Sequence, residues 1–318
     1  MSEDHGETVK NADINSATDR TVAERLPRRQ RPIVRMARSL MHKKLALVGA
    51  IIILFVVLVA LFANYLTPYD PGEIDILYRL KPPGWRAPDG ALHILGTDTL
   101  GRDVYTRLIY GARVSLAVGL TVVLIAGTIG VFLGLVAGYL GGPLDDFIMR
   151  IADIQLAFPF ILLAISVIAI VGPGVVILVV VLGISRWMEY ARIVRSQTIS
   201  LRENEFVTAS RSIGSHNSRI ISRHILPNVW GAVIVISSFS VASTIIAEAS
   251  LSYLGLGVPP EVPSWGGMLA DSREYLETAP WLSIFPGLAI ALTVLGVNVV
   301  GDWLRDYLDP SLKNLAEK

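Results

Sequence analysis

Five apolar stretches lay out the chain. Residues 45–63, 116–137, 229–247 and 281–300 carry no charge and are long enough to cross a hydrocarbon core of about 30 Å. The fifth, residues 154–185, is also free of charge but is interrupted by Gly172-Pro173-Gly174. That is too much chain for one crossing and too little for two of about 20 residues each. The pattern therefore predicts two spans reaching into charged flanks, near 150–171 and 174–189. Each flank offers an opposite pair three residues apart, Arg150 with Asp153 and Arg186 with Glu189, which a helix brings onto one face. Both pairs are expected at the cytoplasmic interface. The fold class that follows is an all-α polytopic membrane protein of six transmembrane helices, with both termini cytoplasmic.

Composition agrees. Of 318 residues, 52% are hydrophobic and 17% charged, against about 25% charged in soluble domains. The net charge of +1 says little, because its distribution matters more than its sum. Cysteine is absent, which excludes disulfides, cysteine-ligated metals and thiol catalysis.

Residues 1–44 read as a polar, basic and disordered tail. Between Arg20 and Lys44 there are nine Lys or Arg against one acid, Glu24. Basic residues abutting a span act as topology determinants and place the N-terminus in the cytoplasm. No nucleic-acid partner is expected. Residues 64–113 form an external loop with six basic and six acidic residues, and residues 186–228 a cytoplasmic loop with seven basic residues and three acids. Glycines at 119, 127, 130, 134 and 138 predict close helix packing along span two. Span five carries Ser237, Ser238, Ser240, Ser243 and Thr244. Ser237, Ser240, Ser243 and Thr244 are candidate pathway residues, although such hydroxyls often bond back to their own helix. Glu248 is read as the end of that span. At the other terminus, Asp302, Arg305, Asp306 and Asp309 form a charged helix end stopped by Pro310, with a short tail at 313–318.

The polar segment between spans four and five contains Glu205-Phe-Val-Thr-Ala-Ser-Arg-Ser-Ile-Gly214 and closes at Leu226-Pro227. Phe206, Ala209 and Ile213 fall on one face of a short helix, and Gly214 is a natural stop in the left-handed region. A second short helix is expected near 218–225. This stretch resembles the cytoplasmic coupling loop of importer permeases of the ATP-binding-cassette (ABC) class. Their pattern runs Glu-Ala-Ala, three residues, Gly, nine residues, Ile, one residue, Leu-Pro. Thr208-Ala209-Ser210 takes the first place, Gly214 the second and Leu226-Pro227 the last, with His224 where the pattern has Ile. Spacing is matched better than identity.

Three further segments carry the resemblance. His93-Ile-Leu-Gly-Thr-Asp-Thr-Leu-Gly-Arg-Asp103 resembles the segment before the second span in C-type permease subunits of dipeptide, oligopeptide, glutathione and nickel importers. Glu248-Ala-Ser-Leu-Ser-Tyr-Leu-Gly-Leu-Gly257 with Ser264-Trp-Gly-Gly-Met-Leu269, and Asn298 to Pro310, are similar to the same family. Within the first segment Asp98, Arg102 and Asp103 are candidates for an external gate or receptor contact, or for a capped turn.

The resemblance implies an ABC importer transmembrane domain over 45–312, in the bacterial inner membrane. It implies a homologous permease subunit as partner, making a heterodimer, two ABC ATPase subunits and a periplasmic or extracellular solute-binding protein. The expected ATPase contacts are Glu205, Phe206, Ala209, Ser210, Arg211, Ile213, Gly214, Leu226 and Pro227. No cofactor or metal is expected on this chain, and no catalytic residue. It has no Gly-Lys-Ser/Thr phosphate loop, so ATP and Mg²⁺ belong to the partner ATPases. The expected cargo is di- or oligopeptide, with nickel, glutathione or another small solute as the alternative. An ion-coupled secondary transporter is the rival from another class. It would place ionisable residues at mid-membrane, and spans two, five and six are read as having none.

Overall fold

The computed structural model describes Met36 and residues 39–308. The segment up to His42 is a unit by itself, helical wherever it is described. Most of the expected basic tail over 1–44, Asp309, the stop at Pro310 and the tail at 313–318 lie outside the described residues.

From Lys43 onward the protein is a helical bundle with a small subdomain formed by the loop after its first helix. Helix α1 covers Lys44–Leu61. The loop after it holds a hairpin of two short antiparallel strands, β1 (Trp85–Arg86) and β2 (Leu92–His93). Helix α2, Val104–Leu140, has 37 residues and so runs for about 55 Å, far beyond the expected 116–137. There follow α3 (Gly142–Ala157), α4 (Phe160–Val171), α5 (Val175–Arg202) and α6 (Glu205–Ser212). The rest is α7 (Leu226–Tyr253), α8 (Trp265–Asp271) and α9 (Trp281–Leu308).

Among the described residues, four helices are long and apolar enough to span a membrane: α1, α2, α7 with its lead-in from Asn217, and α9. The expected third span, 150–171, is not one straight helix. It is broken between α3 and α4, which meet at 85°. The cause is local. Phe158 is pushed to the extended region (φ −98°, ψ 132°) by the proline that follows it, and Pro159 has no N–H to continue the ladder. The fourth expected span, 174–189, is instead the first half of the 28-residue α5, whose second half is charged. Of the two flanking pairs, Arg186 with Glu189 forms on one helix face as expected, whereas Asp153 turns to another helix. Asp153 bonds Arg192 of α5 at 2.5 Å, and Arg186 stands 3.9 Å from Glu189.

The tightest seam joins α2 to α5. Gly130, Gly134 and Gly138 lie directly against the α5 backbone. A Cβ on Gly134 would come within 2.6 Å of the Ala191 carbonyl oxygen, and one on Gly138 within 2.8 Å of that of Arg195. Small residues at a spacing of four let two backbones meet, and dispersion then replaces the hydrophobic drive that lipid cannot supply. Tyr190 and Val194 of α5 fill one side of this seam, with Tyr139 and Leu135 of α2. Helix α7 packs on α2, α5, α8 and α9, and α1 closes on α9 and α2.

Candidate functional site

The segment between α5 and α7 is clamped rather than hanging. Helix α6 buries Val207 in a cluster with Tyr139, Ile220, Ile225 and Val229 and also buries Ser210, while Phe206, Ala209, Arg211 and Ile213 stay exposed, Ile213 at 83%. Exposed apolar side chains beside a buried anchor describe a surface prepared for a partner. The guanidinium of Arg211 lies 5.6 Å over the Tyr139 ring, and the Tyr139 hydroxyl donates to Asn217 at 3.0 Å. Arg202 donates to the carbonyls of Gly138 and Tyr139. The end of α2 is thus the platform on which the segment rests, a role that sequence spacing did not reveal because Tyr139 is more than 60 residues upstream of Arg202.

Gly214 has φ +81° and takes the left-handed position expected of it, with the Ser215 N–H donating to the Ser210 carbonyl. Ser210 faces inward, so it anchors the helix and is not a surface contact. Glu205 and Pro227 are exposed, and Leu226 is half-buried. The second short helix is not separate. A turn at Asn217–Ile220 passes through the wide-turn helix Ile221–Ile225 straight into α7. Pro227 sits in the first turn of α7, where its missing N–H leaves the ladder one residue out of step.

The residues expected at the external gate form a buried ion cluster. Asp98 accepts from the backbone N–H of Leu100 and Arg102 at 2.9 Å and from Arg102 Nε at 2.6 Å. Arg102 reaches Asp271 of α8 at 3.1 Å, and Arg107 stands 3.6 Å from Asp98 and 3.8 Å from Asp271. Burial raises the Asp271 carboxyl above its ordinary pKa, while Arg102 and Arg107 pull it back down. Asp103 caps α2 by accepting from the Thr106 N–H at 2.7 Å and meets His93 Nδ1 at 2.9 Å. Asp98, Arg102 and Asp103 are each 5% exposed, so they brace the loop from within.

Glu248 is a residue whose place the sequence did not disclose. It does not end its helix, which runs on to Tyr253, and it is fully buried. Its carboxylate is met by the hydroxyls of Ser252 at 2.8 Å and Ser115 at 3.3 Å, with Ser264 buried nearby at the start of α8. Each of these hydroxyls accepts a backbone N–H, from Val258, Trp265 and Gly267 respectively. Their protons are therefore free for the carboxylate, which ties α2, α7 and α8 together. The spacing Glu248, Ser252 was the available signal, since i and i+4 share a helix face.

The candidate pathway hydroxyls point largely into the seam between α5 and α7. Ser237 bonds Tyr190, Ser243 accepts from Arg186 at 2.8 Å, and Ser240 and Thr244 are buried. Arg186 and Glu248 thus lie within their helices rather than at the ends.

The family model described as "Binding-protein-dependent transport system inner membrane component" matches residues 130–314, and that of the "N-terminal TM domain of oligopeptide transport permease C" matches residues 32–83. The chain is 46% identical to the dipeptide transport system permease protein DppC of Alkalihalophilus pseudofirmus, covering 87% of this chain and 89% of that protein. It is 44% identical to the di/tripeptide transport system permease protein DppC of Pseudomonas aeruginosa, covering 90% and 94%. Among solved structures, an inward-facing MetNI methionine ABC transporter chain superposes with a TM-score of 0.51 at 20% identity, covering 64% of this chain and 96% of that one, a likeness of fold. With its apolar helices and relatives matched over nearly their whole length, the chain belongs to the family of binding-protein-dependent transport system inner-membrane components and is a multi-pass membrane protein.

Proposed function

We propose that this chain is one half of the pathway of an ABC importer for di- or oligopeptides, driven through the surface around α6. The observation that carries the reading is the exposed row Phe206, Ala209 and Ile213 on a helix held rigidly by Val207, Tyr139 and Arg202. A lever must be both exposed and stiff, and this one is clamped to α2 and joined by the short turn at 213–216 to the helix that runs into α7. The peptide relatives supply the cargo class.

In this reading six crossings are made by α1, α2, the broken pair α3–α4, α5, α7 and α9, with both termini and α6 in the cytoplasm. A homologous permease completes the pathway, two ATPase subunits bind ATP and Mg²⁺ and press on α6, and an external solute-binding protein delivers cargo to the face braced by Asp98, Arg102 and Asp271. Asp98, Arg102 and Asp103 then shape the external gate.

The test is affinity purification of the tagged chain in mild detergent, with mass spectrometry and an ATPase assay. Recovery of a second permease and two ATPases, with hydrolysis stimulated by loaded binding protein, is the expected result. Recovery of this chain alone, or as a homodimer without ATPase, would reopen the secondary-transporter class.

A further inference from the structure

We propose that the cleft between α5, α7 and α9 binds a short peptide by its free carboxylate, with Arg305 as the anion partner and Phe239 in the apolar wall. The inference rests on the peptide-import reading above and adds a site on this chain and the group it recognises. The cleft lies at the end that this reading places in the cytoplasm, where cargo leaves.

The cleft has a volume of about 550 Å³ and is walled by Ile193 and Gln197 of α5, Val235 and Phe239 of α7, and Arg305 and Leu308 of α9. Its polar residues gather at one end. Gln197 is near the end of α5, Asn228 is in the first turn of α7 and Arg305 in the last turn of α9. From Asn228 to Phe239 the cleft follows α7 for about 16 Å. An extended peptide advances about 3.6 Å per residue at most, so two to four residues lie along it. A helix of that length and about 10 Å across would need about 1,200 Å³, more than twice the space. Apolar walls with a few convergent polar groups, in a volume between about 300 and 1,000 Å³, are the form of a small-ligand site.

Charge decides which ligand. Among the described residues Arg305 is the one charged group that lines the cleft, and its side chain makes no hydrogen bond or ion pair with any of them. The acids beside it in sequence are turned away. Asp302 and Asp306 line a separate hollow with Lys43 and Trp303, and Asp306 takes the Lys43 ammonium at 2.6 Å. On α5, Arg192 and Arg195 are held by Asp153 and Asp145. The last turns of α9 thus send their acids toward α1 and leave a guanidinium over the cleft. A carboxylate matches it in charge and in fork geometry. Asn228 gives its side-chain N–H to the His224 carbonyl at 2.6 Å, which leaves Oδ1 to accept a peptide N–H, while the Gln197 amide has no partner among the described residues. An apolar peptide side chain then rests on Val235 and Phe239.

The rival occupant is a helix of the partner permease, and binding separates the two. The complex purified through the tagged chain, with the subunits that accompany it and without binding protein, is placed in nanodiscs. It is titrated with radiolabelled alanylphenylalanine and with the C-terminal amide of the same dipeptide. The acid is expected to bind about tenfold more tightly than the amide. Arg305→Gln should erase that preference and Arg305→Lys keep much of it. A second variant acts through shape. Gly231 lines the cleft, and a Cβ built there stands 4.0 Å from Leu308 Cβ, so Gly231→Leu fits the fold, fills the cleft and should weaken both ligands about tenfold or more. Equal binding of acid and amide to the parent complex, or parent-like binding by Gly231→Leu, overturns the site. So does an absence of peptide binding together with loss of the second permease from Gly231→Leu, which would give the cleft to a partner helix. The titration needs neither hydrolysis nor uptake. Absence of ATPases from the preparation would sink the import reading instead, so the two failures are distinct.

Discussion

Ser115 of α2 donates its hydroxyl to the buried carboxylate of Glu248 in α7 at 3.3 Å, across 133 positions of sequence, while its oxygen accepts the N–H of Trp265 at the start of α8. One short side chain thus joins three helices. Ser115→Ala should lower the stability of the detergent-purified protein by about 1 kcal/mol, and Glu248→Ala by more, because it leaves the Ser115 and Ser252 hydroxyls without their acceptor. Thermal melting read by tryptophan fluorescence checks the order. Equal midpoints for Glu248→Ala and the parent protein would contradict it.

The α2–α5 seam predicts a contrast between two glycines of one helix. Gly134→Leu should prevent folding, since even its Cβ meets the Ala191 carbonyl at 2.6 Å. Gly127→Ala should be tolerated, because its Cβ would stand 3.5 Å from the Tyr190 ring, an ordinary contact. The yield of monodisperse protein on size exclusion distinguishes them.

At Gly214 space is not the issue, since no atom lies within 4 Å of a Cβ built there. Only the backbone angle restricts substitution. Gly214→Val should cost about 1–2 kcal/mol of local strain, re-aim Ile213 and reduce transport per ATP hydrolysed with the complex still assembled. Gly214→Asn, which tolerates φ near +81°, should behave close to the parent. Normal coupling in Gly214→Val would remove α6 from the drive train.

The ion pairs are not equivalent. Arg102→Met strands Asp98 and Asp271 in a setting where Arg102 is 5% exposed, and should cost about 3–5 kcal/mol. Arg192→Met breaks a pair whose side chains are 47% and 58% exposed, and should cost under about 1 kcal/mol. Urea or thermal denaturation of the two variants tests the difference, and similar losses would mean that the external cluster is not a brace.

What the sequence determined by itself was the set of properties that depend on neighbours along the chain. Apolar runs located α1, α2, α7 and α9, glycines spaced by four announced the seam on α2, and Gly214 stopped α6, because span length, helix-face spacing and φ preference are all local. The motif spacing likewise led to the family. Tertiary structure alone decided where charge and hydroxyls go. The break at Pro159 was readable as a proline but not as an 85° bend, whose angle depends on how α3 and α4 pack on α5. Asp153 chose Arg192 over Arg150, Arg102 turned inward to Asp271, and Arg186 added Ser243 to its pair with Glu189. A polar group pairs with whatever the fold brings within about 3 Å, and that partner stands tens or hundreds of residues away.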